Sequence, residues 1–149
     1  MKIFLGSDHG GFELKEELKT WLKGKGYDAV DKGNIKLDPE DDYVDYAAAV
    51  AKSVAKTKDG RGLLFCRSAA GMVMAANKIN GIRAVAAFDV KSAKHSREHN
   101  DANVLALSGD WLDVKKAQEI AEAWLKEPFS TEERHRRRVR KIAALEHAQ

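Results

Sequence analysis

The chain predicts an α/β protein: a Rossmann-like, doubly wound five-stranded parallel sheet in three layers (α/β/α), followed by one extra C-terminal helix. Three observations carry this. Short apolar runs alternate with longer amphipathic stretches about five times along the 149 residues. The runs are apolar throughout rather than at every second residue, which marks strands covered on both faces. Only two prolines occur, Pro39 and Pro128, so most of the chain is free to form regular structure.

Ile3-Phe4-Leu5 reads as a buried strand ending at Gly6-Ser7-Asp8-His9. Gly10 to Gly26 reads as a helix with Phe12, Leu14, Leu18, Trp21 and Leu22 as its apolar stripe, lysines and glutamates on the other face, and Gly24 and Gly26 as stops. Tyr27 to Val30 is the second strand, and 34–42 is a polar loop. Tyr43 to Thr57 has alanine and valine at helical spacing. Gly62 to Cys66 is the third strand, Gly71 to Lys78 a short helix, and Ile82 to Ala87 the fourth strand. Lys91 to Asn100 is a polar helix, Asn103 to Leu107 the fifth strand, and Val114 to Leu125 an amphipathic helix. Glu127-Pro128-Phe129 breaks the chain. Ser130, with Glu133 three residues on, predicts a capped start for a last helix rich in arginine. Its apolar stripe, Ile142 and Leu145, is too thin for a core helix. The length fits one domain over 1–149, with 129–149 as a helical arm set to pack on a partner subunit.

Composition excludes several classes. With 44% hydrophobic and 33% charged residues, the chain is not a low-hydropathy disordered one. A net charge of +3 does not by itself call for nucleic acid, and no aromatic residues interleave with the C-terminal arginines. A salt-sensitive RNA-binding module is therefore a minor alternative. No apolar run approaches the roughly 20 residues that cross a bilayer. Asp8 and His9 follow the N-terminus too soon for a signal peptide. The single cysteine excludes an intramolecular disulfide or CxxC motif and points to a reducing cytoplasm.

A doubly wound sheet binds ligands beyond the carboxyl ends of its strands. That directs attention to Ser7–Gly11, Cys66–Gly71, Phe88–Lys91 and Ser108–Trp111. Asp8-His9-Gly10-Gly11 is either an anion-accepting βα turn or a plain turn capped by Asp8. It lacks the GxGxxG pattern of a dinucleotide site. Cys66 ends a strand just before a helix start, where a thiol pKa can fall, so it is a candidate base or nucleophile, or else a buried structural cysteine. His95 and His99 share a helix face, but no further His or Cys stands nearby in sequence to complete a metal site. Asn100 or Asp101 could orient His99. Arg134, Arg138 and Lys141 share a face, with His135 beside them; they could grip a phosphate, or simply form a solvated surface helix, the commoner case for an isolated charge run.

Taken in order, these segments resemble the ribose-5-phosphate isomerase B family, which also includes subunits of galactose-6-phosphate isomerase. The matching stretches are Gly6-Ser7-Asp8-His9-Gly10-Gly11-Phe12, Asp42-Tyr43, Ala75-Ala76-Asn77-Lys78 with Gly81-Ile82-Arg83-Ala84, the run Ser96 to Ala106, and Arg134-His135-x-x-Arg138-Val139. The resemblance implies an aldose–ketose isomerase of a phosphosugar, foremost ribose 5-phosphate in the pentose phosphate pathway, without metal or cofactor. Proton transfer would run through a cis-enediolate. It implies Cys66 as general base, Ser68 beside the developing oxyanion, His99 as ring-opening residue and Asp8 as its assistant. His9, Arg134 and Arg138 would contact phosphate, with Tyr43 and Asn100 lining the site and Gly71, at the end of the loop after Cys66, among the substrate- or phosphate-binding positions. It also implies a homodimer with the site between subunits, pairing of dimers into tetramers being left open, and no nucleic-acid or membrane partner.

Two departures stand out. The family's glycine-rich run after the cysteine is here Arg67-Ser68-Ala69-Ala70-Gly71. Either Arg67 or Ala69 is strained in a glycine-type conformation, or, as the expectation goes, the loop takes another path. Asp110 stands where the family has a phosphate-gripping arginine, so Arg67 is expected to pair with Asp110 or to join the phosphate grip. Allose 6-phosphate, galactose 6-phosphate and a tetrose phosphate are alternative substrates, and a non-catalytic sugar-phosphate-binding regulator is the alternative class.

Overall fold

The structure is a computed structural model and describes residues 1–148. Its elements are β1 (Lys2–Ser7), a short 3-10 turn (His9–Gly11), α1 (Phe12–Gly24), β2 (Asp28–Asp31), α2 (Tyr43–Ala55), β3 (Gly60–Cys66) and α3 (Ala70–Ala76). β4 (Ala84–Ala86), α4 (Val90–Asn100), β5 (Val104–Ser108), α5 (Val114–Lys126) and α6 (Glu133–Leu145) complete the chain. All strand pairs are parallel, in the order β2-β1-β3-β5-β4. The expected class is met.

Alternation along the central strands builds two cores. Ile3, Leu5, Leu63, Phe65, Leu105 and Leu107 face α1, α4 and α5, where Leu18, Leu22, Ile120 and Trp124 cover them. Phe4, Leu64, Cys66, Val104 and Ala106 face α2 and α3, where Val50, Ala51, Met72 and Ala76 cover them. This explains why the strands lack polar alternation. From β1 the chain moves to β2 on one side and then to β3 on the other. The crevice at that reversal lies between the loops after β1 and after β3, where ligands bind in sheets of this type.

Two local expectations are corrected. Ser130 does not cap α6: Glu132 is its N-cap residue, without a side-chain cap bond. Ser130 donates its backbone N–H to Glu98 O at 3.0 Å, and its Oγ accepts from the Glu132 N–H at 3.0 Å, so the hydroxyl closes a turn before the helix. Lys15, assigned to the polar face of α1, is fully buried. Its Nζ donates to both oxygens of Asp31 (2.9 and 2.8 Å) and to Asn34 O at 2.5 Å. That anchors α1 to the end of β2, and with Lys19 it holds the Asp31 carboxyl low against the opposing effect of burial. No helix among the described residues is long and apolar enough to cross a membrane.

Candidate active site

The predicted residues fall into two groups at opposite ends of the sheet. The first sits at the carboxyl edge, over the β1/β3 crevice. The Asp8 carboxylate caps the 3-10 turn by accepting the Gly11 N–H at 3.2 Å. Burial raises its pKa, against the pull of His9. Gly11 passes so close to β3 that a Cβ there would lie 2.2 Å from the Phe65 carbonyl carbon. Glycine is thus a steric requirement of the turn.

Cys66 ends β3 and is 5% exposed. Its Sγ accepts the Ala69 N–H at 3.2 Å. The expected fall in thiol pKa is not found. Burial pushes it up and the Asp8 charge adds to that, while the backbone N–H groups of Met72, Ala69 and Ser68 pull the other way. Ala69 has φ 70 and ψ −23, so the strained alternative for this loop is the one realised. A non-glycine residue in the left-handed region costs about 1–2 kcal/mol. Tyr43 lies over Gly71, where a Cβ would come within 2.6 Å of the ring.

Arg67 and Asp110 face each other on the loops after β3 and β5, Nη1 to Oδ1 at 3.4 Å. Both are exposed, and this is the pairing arm of the expectation. The backbone knits the same loops: the Gly109 N–H donates to Cys66 O at 2.8 Å, and the Ser108 hydroxyl donates to Arg67 O.

Asp41, which sequence reasoning passed over, accepts both the His9 backbone N–H (3.0 Å) and the His9 ring at Nδ1 (2.8 Å). This hydrogen bond is the largest effect raising the His9 pKa. Asp8, His9 and Asp41 bring one donor atom each within 4.8 Å of one another, the one grouping among the described residues that could hold a metal ion. As it stands, His9 Nδ1 is committed to Asp41.

The second group lies at the other edge. α4 returns antiparallel to the strands and ends just before β5 begins at Val104, whereas Cys66 pairs with Ser108 at the far end of β5. About 13 Å of strand separates those ends, at about 3.3 Å per residue. His99 is therefore remote from Cys66 within one chain. Its ring is sandwiched between His95 (centroids 3.9 Å apart) and His135 of α6 (4.1 Å). The third imidazole, not close in sequence, is thus supplied by the fold, and the rings stack rather than converge on a point. His135 is buried, its Nδ1 has no hydrogen-bond partner, and burial followed by the His99 charge lowers its pKa.

Asp101 does not orient His99, because its carboxylate is taken by Arg83 (2.8 Å) and Arg97 (2.7 Å). Asn100 is exposed and lines a cleft of about 540 Å³ with Asn77, Ile82, Val85, Ile142 and Leu145. Arg134 and Arg138 are exposed on α6, Arg134 Nε lying 2.6 Å from Glu132 Oε2. No hydrogen bond or ion pair joins the two groups among the described residues.

A thiol and a carboxylate stand at the switch point of the parallel sheet, beside an Asp–His pair, where doubly wound α/β proteins bind their ligands and where such groups can exchange protons. Residues 3–142 match the ribose/galactose isomerase family, to which the chain belongs. It is 41% identical to the ribose-5-phosphate isomerase B of Escherichia coli K12, over 97% of this chain and 96% of that one. It is 36% identical to that of Mycolicibacterium paratuberculosis, over 98% and 92%. Its fold superposes with a TM-score of 0.95 on the ribose-5-phosphate isomerase B of Mycoplasma genitalium with bound ribulose 5-phosphate, at 38% identity and covering 99% and 97% of the two chains.

Proposed function

We propose that the chain is a cofactor-independent isomerase that interconverts ribose 5-phosphate and ribulose 5-phosphate in the cytoplasm, as a homodimer with each site shared between two copies. The observation that carries this is Cys66 at the carboxyl edge of β3, beside Asp8 and the backbone N–H groups of Ser68, Ala69 and Met72, in a chain of this family. One domain spans the chain, and its C-terminal arm packs on the partner.

The chemistry runs as follows. His99 from the second copy protonates the ring oxygen while Asp8 takes the anomeric hydroxyl proton, giving the open aldehyde. Cys66, once its thiol proton has passed to solvent, removes the C2 proton as the thiolate. The enediolate oxygen is stabilised by the Ser68 hydroxyl and neighbouring N–H groups, and oriented donors of that kind are worth several kcal/mol. The thiol returns its proton to C1, a proton passes from O2 to O1, and exchange with solvent discharges Asp8 and reprotonates His99, so nothing is gained or lost over a turnover. His9, Arg134 and Arg138 hold the phosphate, which positions the reacting carbons without taking part.

The opposite-edge placement of Cys66 and His99 supports a shared site, since neither can serve the other in one chain. The exposed Ile142 and Leu145 on α6, together with the cleft beside the β4 edge, give a second copy an apolar seat. The test is exchange of the substrate C2 proton with solvent deuterium. Wild type exchanges it, and Cys66→Ala does not. Mixing inactive Cys66→Ala with inactive His99→Asn restores about a quarter of wild-type activity, because half of randomly formed dimers then hold one intact site of two. No recovery on mixing refutes the shared site. No exchange by wild type, with sugar phosphate still bound, favours the binding regulator.

A further inference from the structure

We propose that Asp41, in the loop before α2, is a positioning residue that locks His9 in one orientation and turns its Nε2–H outward as a fixed cationic anchor for the substrate phosphate. This rests on the reading of His9 as a phosphate contact.

The side chain of Asp41 is 4% exposed. One oxygen accepts from both the backbone and the ring of His9, and the other accepts from Asn34 Nδ2 at 3.3 Å. With Nδ1 bound inward, only Nε2 is left to face a ligand, and the ring itself is 30% exposed. A carboxylate bound to Nδ1–H fixes both tautomer and ring orientation. Burial works against the Asp41 charge, but the hydrogen bonds from His9 and Asn34 outweigh it and hold the carboxyl low.

Asp41 belongs to a long polar loop, yet that loop is tied down. The Asn34 N–H donates to Ser7 O at 2.9 Å, and the Ser7 N–H to Gly33 O at 2.8 Å. Asn34 O accepts from the buried Lys15, which is itself held by Asp31, and Asp31 also accepts the Gly33 N–H. The network runs without a break from the α1 interior to His9. Three charged groups face the imidazole: Asp41 and Asp8 favour its cation, while Arg67, from the loop after β3, opposes it. The Asp41 hydrogen bond is the largest of these influences. Tyr46 of α2 lies in the field of Asp41, and its own ionisation is suppressed by burial and that charge, so it stays neutral in the working range.

The test compares wild type with Asp41→Asn, which keeps the shape and removes the charge, and with Asp41→Ala, which removes both. Imidazole nitrogen NMR follows the titration of His9, and calorimetry follows the binding of inorganic phosphate. In Asp41→Asn the His9 midpoint is expected to fall, since the hydrogen bond that raises it is weakened, and phosphate to bind about tenfold more weakly near pH 7.5. The difference should narrow as the pH is lowered to about 5.5, because protonation of His9 is then favoured in both proteins. With ribose 5-phosphate, KM near pH 7.5 rises while kcat stays within about twofold. An unchanged His9 titration overturns the proposal. So does equal weakening at both pH values, the mark of a merely structural role, or failure of wild type to bind phosphate. A wild-type His9 that titrates no higher than a free imidazole overturns it without any variant. The NMR and phosphate measurements need no turnover, so a chain that failed to isomerise ribose 5-phosphate would refute the functional reading and leave this one standing.

Discussion

Gly11→Ala should be among the most damaging single-methyl changes available to this protein. The added Cβ would lie 2.2 Å from the Phe65 carbonyl carbon, 2.4 Å from its oxygen and 2.6 Å from Cys66 N. All three are backbone atoms of β3, which is hydrogen-bonded to β1 on one side and β5 on the other. No side chain can rotate away. Ordinary contact begins at 3.4 Å, so turn and strand must part by the difference between 3.4 and 2.2, or 1.2 Å. Overpacking of this kind costs about 1–3 kcal/mol, and the Asp8–Gly11 cap strained by the movement adds about 1 to 2 more. The sum, about 2–5 kcal/mol, corresponds to a fall in Tm of roughly 4–20 °C for a domain of this size. Gly10→Ala is the control one residue away. Its Cβ meets Arg67 Cγ at 2.5 Å, on a side chain that can rotate toward solvent, and Arg67 N at 3.1 Å, which must give only slightly, so about 1–2 kcal/mol is expected. Urea unfolding followed by far-UV circular dichroism measures both. A Gly11→Ala protein within 1 kcal/mol of wild type, or a costlier Gly10→Ala, would refute the reasoning.

Alkylation of Cys66 by iodoacetamide should still be accelerating at about pH 9, since burial holds the thiol above its ordinary range; a plateau near neutrality would contradict this. Lys15→Met leaves the half-buried Asp31 with Lys19 as its one cationic partner and should cost about 3 kcal/mol in urea, with faster proteolysis within 32–42. His135 is held neutral, so the unfolded chain takes up its proton first; stability should decline as pH drops below the ordinary histidine value of 6.5, and His135→Gln should flatten that decline in thermal melts. Ile142→Glu with Leu145→Glu should shift sedimentation from dimer to monomer and remove activity together, while the far-UV spectrum stays unchanged.

The strands and helices could be read from the sequence because each core strand is apolar on both faces and each helix has an apolar stripe. The turn residues Asp8 to Gly11 and the lone Cys66 were legible because the sheet's carboxyl edge is a place defined by topology. Asp41 was not, since nothing in 34–42 shows that the loop folds back onto β1. Lys15 looked like a surface lysine because its partner, Asp31, sits at the end of a strand sixteen residues on. His135 was visible only as a neighbour of arginines, because its contact with His99 depends on how α6 docks against α4. The direction of the Cys66 shift was misjudged: strand-end position suggested N–H donors, which are present, but said nothing of how deeply the sulfur is covered.

The thirteen-ångström separation along β5 has a kinetic corollary. On the proposed shared site, a solitary copy would be folded yet idle, holding the two unlike halves of different reaction chambers. Output per chain should then sink on dilution below the association threshold, and total rate should scale with the square of chain concentration there. A ligand or mutation that prises copies apart would silence the protein without touching a single reactive atom.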